Sequence, residues 1–325
     1  MNRSLTALAA TAVLAALAPL TLHAQGVAYV SSEKDHTLTV IDLKTQAVTG
    51  TVATCKRPRH LQKSADGKQL LVACTDSHQA DVIDLATRKS VRKVALGEDP
   101  EAFDLSPDGK TLFVTNEEDA AVSFIDLASG KKRAEVKVGQ EPEGVKVTAD
   151  GKTLYVTSEV ANLVHQIDVA TAKVTRNIPV GKRPRRFALT PDGAQLWVTN
   201  ELDASVSIID TKKGEVLDTV RFEVKGARAD DITPVGLAMS KDGSRAFVTL
   251  GRANHVAFVD VKTRKTTDLV LVGKRAWGLA LDGAEKMLYV VNGLSDDLTI
   301  VDVAAAKALK TVKVGRVPYG VVVVE

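Results

Sequence analysis

The chain has 325 residues, with 43 Lys and Arg against 40 Asp and Glu, a formal charge of +3. Acids and bases are interspersed along it, which excludes the one-signed field of a nucleic-acid or membrane-surface binder. With aromatics at only 4%, the core has to be filled by Val, Ile, Leu and Ala, a composition that suits strands buried on both faces.

The first element is a leader. Arg3 gives a positive start, Leu5 to Leu22 form an apolar stretch broken only by Thr and Pro19, and Leu22-His23-Ala24 offers small-residue spacing for cleavage. Residues 1–24 therefore read as a secretory signal peptide, with the mature chain starting near Gln25 in the periplasm or outside the cell. No later segment approaches the roughly 20 apolar residues of a spanning helix, so no membrane insertion is expected after cleavage.

Residues 25–325 then repeat. An Ile-Asp or Val-Asp pair ends at Asp42, Asp84, Asp126, Asp168, Asp210, Asp260 and Asp302, at steps of 42 residues with one step of 50. A second marker, after a short polar joint, falls at Pro58, Pro100, Pro142, Pro184, Pro234, Ala276 and Pro318 with the same rhythm. Each unit, such as residues 140–181, divides into four short β-type runs, and Asp-Gly at Asp66, Asp108, Asp150, Asp192 and Asp242 marks a tight turn. In the last unit this pair slips two places, to Asp282-Gly283. Four antiparallel strands per unit make the blade of a propeller. The chain opens after the leader with three strands of a unit and closes with the missing first strand at Val317 to Glu325, so the two ends complete one blade. The expected fold is all-β, a single seven-bladed β-propeller closed by pairing of the N- and C-terminal segments.

Cys55 and Cys74, the two cysteines, fall in one unit on neighbouring strands, and a disulfide is expected in an oxidising compartment. The alternative is a metal site from Cys55, His60, Cys74 and His78, whose spacing matches no standard zinc pattern. His36, His165 and His255 are isolated. The 50-residue step places eight extra residues between Asp210 and Pro234, where Arg228, Asp230 and Asp231 offer a partner-binding loop or a tolerated insertion. Motifs for covalent c-type haem, serine and metallo-hydrolysis and nucleotide binding are absent.

Leu-Phe-Val-Thr-Asn at 112–116, Leu-Tyr-Val-Thr at 154–157, Leu-Trp-Val-Thr-Asn at 196–200 and the Val-Gly-x-x-Pro joints resemble the YVTN family of β-propeller repeat proteins. The exported single-propeller layout resembles, more narrowly, the β-propeller proteins associated with PQQ-dependent alcohol catabolism in the bacterial periplasm. That resemblance implies PQQ as a candidate ligand and a periplasmic quinoprotein dehydrogenase as a candidate partner.

The residues following each joint should surround the mouth of the central channel. Arg57, Arg59 and His60, Arg183, Arg185 and Arg186, and Arg275 put cations there, with Trp277 and Tyr319 as flat surfaces. This pattern suits a small anionic, planar ligand. Glu98, Asp99, Glu101, Glu141 and Glu143 occupy equivalent positions, so the arginines instead suit inter-blade ion pairs on the surface. The leading reading is a non-enzymatic binding or accessory propeller. The alternatives are a lactonase-type hydrolase using His60, Glu101, Glu143, Arg185 and Arg186, and a protein-interaction scaffold docking a basic partner on Glu117-Glu118-Asp119.

Overall fold

A computed structural model describes residues 26–325, and the leader assigned to residues 1–24 lies outside the described residues. Runs rich in Val, Thr and Ile fit a pleated, buried surface. They form seven four-stranded antiparallel sheets, a seven-bladed β-propeller. Blade 1 joins Val27–Ser32, Thr37–Asp42 and Ala47–Ala53 to Pro318–Val324, its innermost strand. Val27 pairs with Val324 and Tyr29 with Val322, so the ends of the described chain close the ring. Blades 2 to 7 are continuous in sequence and start from the inner strands Pro58–Lys63, Pro100–Leu105, Pro142–Val147, Pro184–Leu189, Leu237–Met239 and Ala276–Leu281.

The core is not central. It is divided into seven apolar clusters, each holding mainly the facing sides of two neighbouring blades. The aromatic position of the repeated motif fills these slabs: Tyr29, Phe113, Tyr155, Trp197, Phe247 and Tyr289 are all at most 1% exposed. The Thr of the motif ties the inner strands together. Thr157 Oγ1 accepts from the Gly144 N–H (2.7 Å) in its own blade and donates to the Arg185 carbonyl of the next (3.2 Å). Thr115, Thr199, Thr249 and Ser31 repeat this clamp onto the carbonyls of Glu143, Val235, Trp277 and Arg59. Four side chains of the channel mouth are thus anchored through their own backbone.

The recurrent Asp serves the turn that follows its strand: Asp42 Oδ1 accepts from both the backbone N–H and the hydroxyl of Thr45 (2.7 Å each), and Asp84, Asp168 and Asp260 do the same for Thr87, Thr171 and Thr263. The Asp-Gly turns hold Gly67, Gly109, Gly151, Gly193 and Gly243 at φ near +70°. In the last unit the turn does not slip. Glu285 takes the left-handed position in register with those glycines (φ 55°). Asp282 takes the place of Ser64 and its equivalents, accepting from the backbone N–H groups of Lys286 and Met287.

Candidate functional site

The inner strands line the channel, and most carry the same irregularity. The register with the second strand shifts between Pro58 and Leu61, Pro100 and Phe103, Pro142 and Val145, Pro184 and Phe187, and Ala276 and Leu279. Such bulges release residues from the ladder and re-aim their side chains. The released pairs are Arg59-His60, Glu101-Ala102, Glu143-Gly144, Arg185-Arg186 and Trp277-Gly278. At Gly144 the second place requires glycine, because a Cβ there would stand 2.0 Å from the Arg185 carbonyl oxygen of the next blade.

Charged groups from these positions cross the channel as one buried network. Arg59 pairs with Glu101 and stands 3.9 Å from Glu33. Arg185 reaches Glu143 (3.2 Å), Glu159 and Glu201 (2.9 Å). Arg186 lies 2.8 Å from Glu143 and donates to the Tyr319 hydroxyl, which in turn donates to Glu143 Oε1 (3.1 Å). Arg59 stacks on the Tyr319 ring at 4.3 Å, and Arg275 on the Trp277 ring at 4.3 Å. Arg59, Glu101, Glu143 and Arg185 are 8%, 2%, 3% and 7% exposed, so these pairs are buried rather than laid on the surface.

The network separates two compartments. Toward the mouth is a recess of about 150 Å³ lined by Arg57, Arg59, Arg185, Arg275, Glu33 and Trp277. On the other side is a chamber of about 280 Å³ whose polar lining is His60, Gln62, Asp104, Lys146 and Arg186. Trp277 and Tyr319 border both.

Burial sorts the protons. Glu101 is pushed from 4.5 to about 9 by its burial and then by the Glu143 carboxylate beside it. Glu143 is held below the ordinary carboxylate range against its burial by Arg185, then Arg186 and Arg59, with a hydrogen bond from Glu101 adding to the effect. At neutral pH the pair shares one proton, with Glu101 the acid and Glu143 the anion. Burial, partly offset by Arg185, pushes Glu159 up to about 8. Burial and then Arg186 lower His60 to about 3, leaving a neutral imidazole.

The nine residues expected around one opening are thus split. Arg57, Arg59, Arg185 and Arg275 face the recess, whereas His60 and Arg186 face the chamber and Arg183 lines neither. Arg57 pairs with Glu33 (3.2 Å) and Asp76 (3.5 Å), and Arg183 with Glu159 (2.6 Å) and Glu201 (3.2 Å). Arg275 has no carboxylate partner among the described residues. His60 is not brought together with Glu101 and Arg185, and Glu143 is fixed between two arginines, so the hydrolase constellation is not assembled. The Cys55 and Cys74 sulfurs are bonded to each other (2.00 Å), and His78 accepts from the Asp99 N–H (3.2 Å). Arg228 and Asp230 are exposed and Asp231 is half-buried, and none of them lines either compartment, while Phe222, Val224 and Ile232 root their loop in the core.

Attention to the Pro joints alone misses half of the network. Glu33, Glu117, Glu159 and Glu201 share one register, the residue after the second strand, at the same 42-residue spacing or twice it. Thr75, Gly251 and Gly293 hold that place in the other blades. The missing acids at Gly251 and Gly293 flank the joint that carries Arg275.

A family model described as YNCE-like beta-propeller matches residues 3–115 and 108–187, and one described as Choice-of-anchor I domain matches residues 204–319. Among solved structures, hydrazine synthase of Kuenenia stuttgartiensis is similar with a TM-score of 0.76 and 24% identity, over 85% of this chain and 92% of that one. A functionally unknown protein from Desulfotomaculum acetoxidans DSM 771 gives 0.79 at 15% identity over 92% and 99% of the two chains. Dihydro-heme d1 dehydrogenase NirN, in complex with DHE, gives 0.69 at 15% identity over 95% and 78%. These likenesses show the fold. The comparison with curated proteins gave no significant match.

Proposed function

The chain belongs to the YNCE-like β-propeller family, and on that premise we propose that it is an exported, non-enzymatic binding or accessory propeller whose mouth recess takes an anionic ligand. One observation carries this reading: among the described residues Arg275 stands without a carboxylate partner over Trp277, in a recess where four arginines face the single carboxylate of Glu33. An anion entering there gains a charge-assisted hydrogen bond without displacing an existing partner. Burial works against the charged forms of Glu101 and Glu159, which weakens their compensation of the neighbouring arginines.

PQQ, which the resemblance to alcohol-catabolism propellers suggests, carries carboxylates on a flat ring system. The recess is smaller than the roughly 300–1,000 Å³ of pockets that enclose whole drug-sized ligands. The reading is therefore that a carboxylate edge enters while the ring lies outward against Trp277, leaving the rest of the ligand for a partner such as a quinoprotein dehydrogenase. A periplasmic location is supported by the leader-like residues 1–24 and by the paired cysteines. Among the described residues no helix is long and apolar enough to cross a membrane.

Titration with PQQ at low and high salt tests the reading. Affinity should fall with salt and drop about tenfold or more in Arg275→Ala, the loss of one charge-assisted hydrogen bond. Equal affinity in wild type and variant, or none at either salt, would overturn it.

A further inference from the structure

The chamber on the far side of the network has a chemistry of its own. At the second place of the released pairs and its equivalents in the other blades stand His60, Ala102, Gly144, Arg186, Gly236, Gly278 and Gly320, so at this register only blades 2 and 5 carry functional side chains. Those blades are three steps apart in a ring of seven, and His60 and Arg186 therefore face one another across the channel.

Two residues further along, Gln62, Asp104 and Lys146 form a chain over blades 2 to 4. Gln62 Nε2 donates to Asp104 Oδ1 (2.9 Å), Lys146 Nζ lies 3.0 Å from Asp104 Oδ2, and the Val147 N–H donates to the same oxygen (2.9 Å). Asp104 is thereby saturated and buried. Lys146 is not: an ammonium has three donors, Asp104 takes one, and the side chain is 37% exposed. The His60 ring has no hydrogen-bond partner among the described residues and meets the edge of Phe103 at 4.8 Å. Phe187, Leu279 and Val321 complete an apolar wall. Two cations, Lys146 and Arg186, thus face the space against one saturated carboxylate. The volume of about 280 Å³ lies at the small end of ligand pockets.

We propose that this inner chamber is a second binding site, for a small aromatic carboxylate whose charged head meets Lys146 and His60 and whose ring packs against Phe187, Leu279 and Val321. The site goes beyond the mouth reading and does not depend on it, since the Glu143–Arg186–Tyr319 bridge lies between the two spaces.

The test is titration of the methyl-labelled full protein with benzoate, followed by NMR, with uncharged benzamide as the matched control. Benzoate should shift the methyl signals of Leu61, Leu279 and Val321, which line the chamber only. Benzamide, and benzoate added to Lys146→Gln, should each bind at least about tenfold more weakly, the loss of a charge-assisted hydrogen bond. Leu279→Trp, which fills the space, should abolish the shifts at Leu61 and Val321 and covers the case in which Lys146→Gln disturbs folding. Absence of shifts up to about 10 mM benzoate, beyond the millimolar range of weak binding, would overturn the proposal. So would equal binding of benzamide and benzoate. Shifts confined to Val317, which lines the recess, would place benzoate at the mouth, overturning this site while supporting the other.

Discussion

Glu101, paired with Arg59, and Glu143, paired with Arg185 and Arg186, lie side by side in the network, yet their replacement by glutamine should have different consequences. Among the described residues, Glu143 is the only carboxylate paired with the half-buried Arg186, and it also compensates the buried Arg185. Glu143→Gln removes a buried carboxylate from two ion pairs and leaves Arg186 with none, and breaking a buried pair in this way costs about 3–5 kcal/mol. With an unfolding entropy of ~2.1 cal/mol/K per residue over about 300 folded residues, that loss lowers Tm by about 5–8 °C. Glu101 already holds a proton at neutral pH, because its pKa is pushed up to about 9. Glu101→Gln exchanges one neutral donor–acceptor for another of the same shape and should cost under about 1.5 kcal/mol, near 2 °C. Calorimetric melting of both variants at pH 7 compares them directly. Equal losses, or a larger one for Glu101→Gln, would refute the assignment of the shared proton.

The same proton predicts a pH profile. Glu101 titrates near 4.5 when unfolded and near 9 when folded, so the native state holds the extra proton between those values. Its contribution is complete below pH 4.5 and declines as pH rises toward 9, and Glu101→Gln should flatten that decline in urea midpoints taken at pH 5, 7 and 9. His60 has the reverse sign: held at about 3 against 6.5, it costs stability as pH falls from 6.5 toward 3, and His60→Gln should be less acid-sensitive in the same assay. The Cys55–Cys74 bridge closes a loop with a sequence separation of 19. Replacing both by Ala should cost about 3 kcal/mol in a denaturant titration, and native protein should show no free thiol. Gly144→Ala sets a Cβ against the Arg185 carbonyl at 2.0 Å, whereas Gly50 has open space. The first should cost more than about 2 kcal/mol and the second stay within roughly 0.5 kcal/mol by thermal melts.

The fold was legible because its marks recur. Asp42 and its equivalents and the joints at Pro58 and its equivalents each report a local requirement that every blade meets, and seven copies in register, with five Asp-Gly turns between them, leave no other architecture. The exception is instructive: Asp282-Gly283 looks like a displaced turn, yet Glu285 takes the left-handed conformation because Asp282 replaces the serine hydroxyl that organises the turn elsewhere. The site was legible only in part. Its arginines stand out in the joints, but their state depends on Glu33, Glu159 and Glu201, which come from a different loop register; Glu33 and Glu159 meet Arg59 and Arg183 only once adjacent blades are packed, while Glu201 meets Arg185 across neighbouring strands of one blade. Charge of opposite sign in neighbouring blades could be read in one dimension. Whether those pairs are wet or buried could not, because burial depends on the inward tilt created by the bulges. The inner chamber was hidden for the same reason: nothing local links His60 to Arg186, which are neighbours only across the closed ring.

The closing sheet also has a mechanical consequence. Val27 and Val324 sit side by side at one end of the pair of strands that completes blade 1, and the pairing runs inward from there through Ala28–Val323 and Tyr29–Val322. A pull that separates the two chain ends would load these hydrogen bonds one at a time, as in peeling adhesive tape, rather than all at once in shear. Tethering at one end only puts no tension across this seam. A fusion that tugs at both ends should open the ring first at its single non-sequential strand pairing, while the other six sheets, each continuous in the chain, stay zipped.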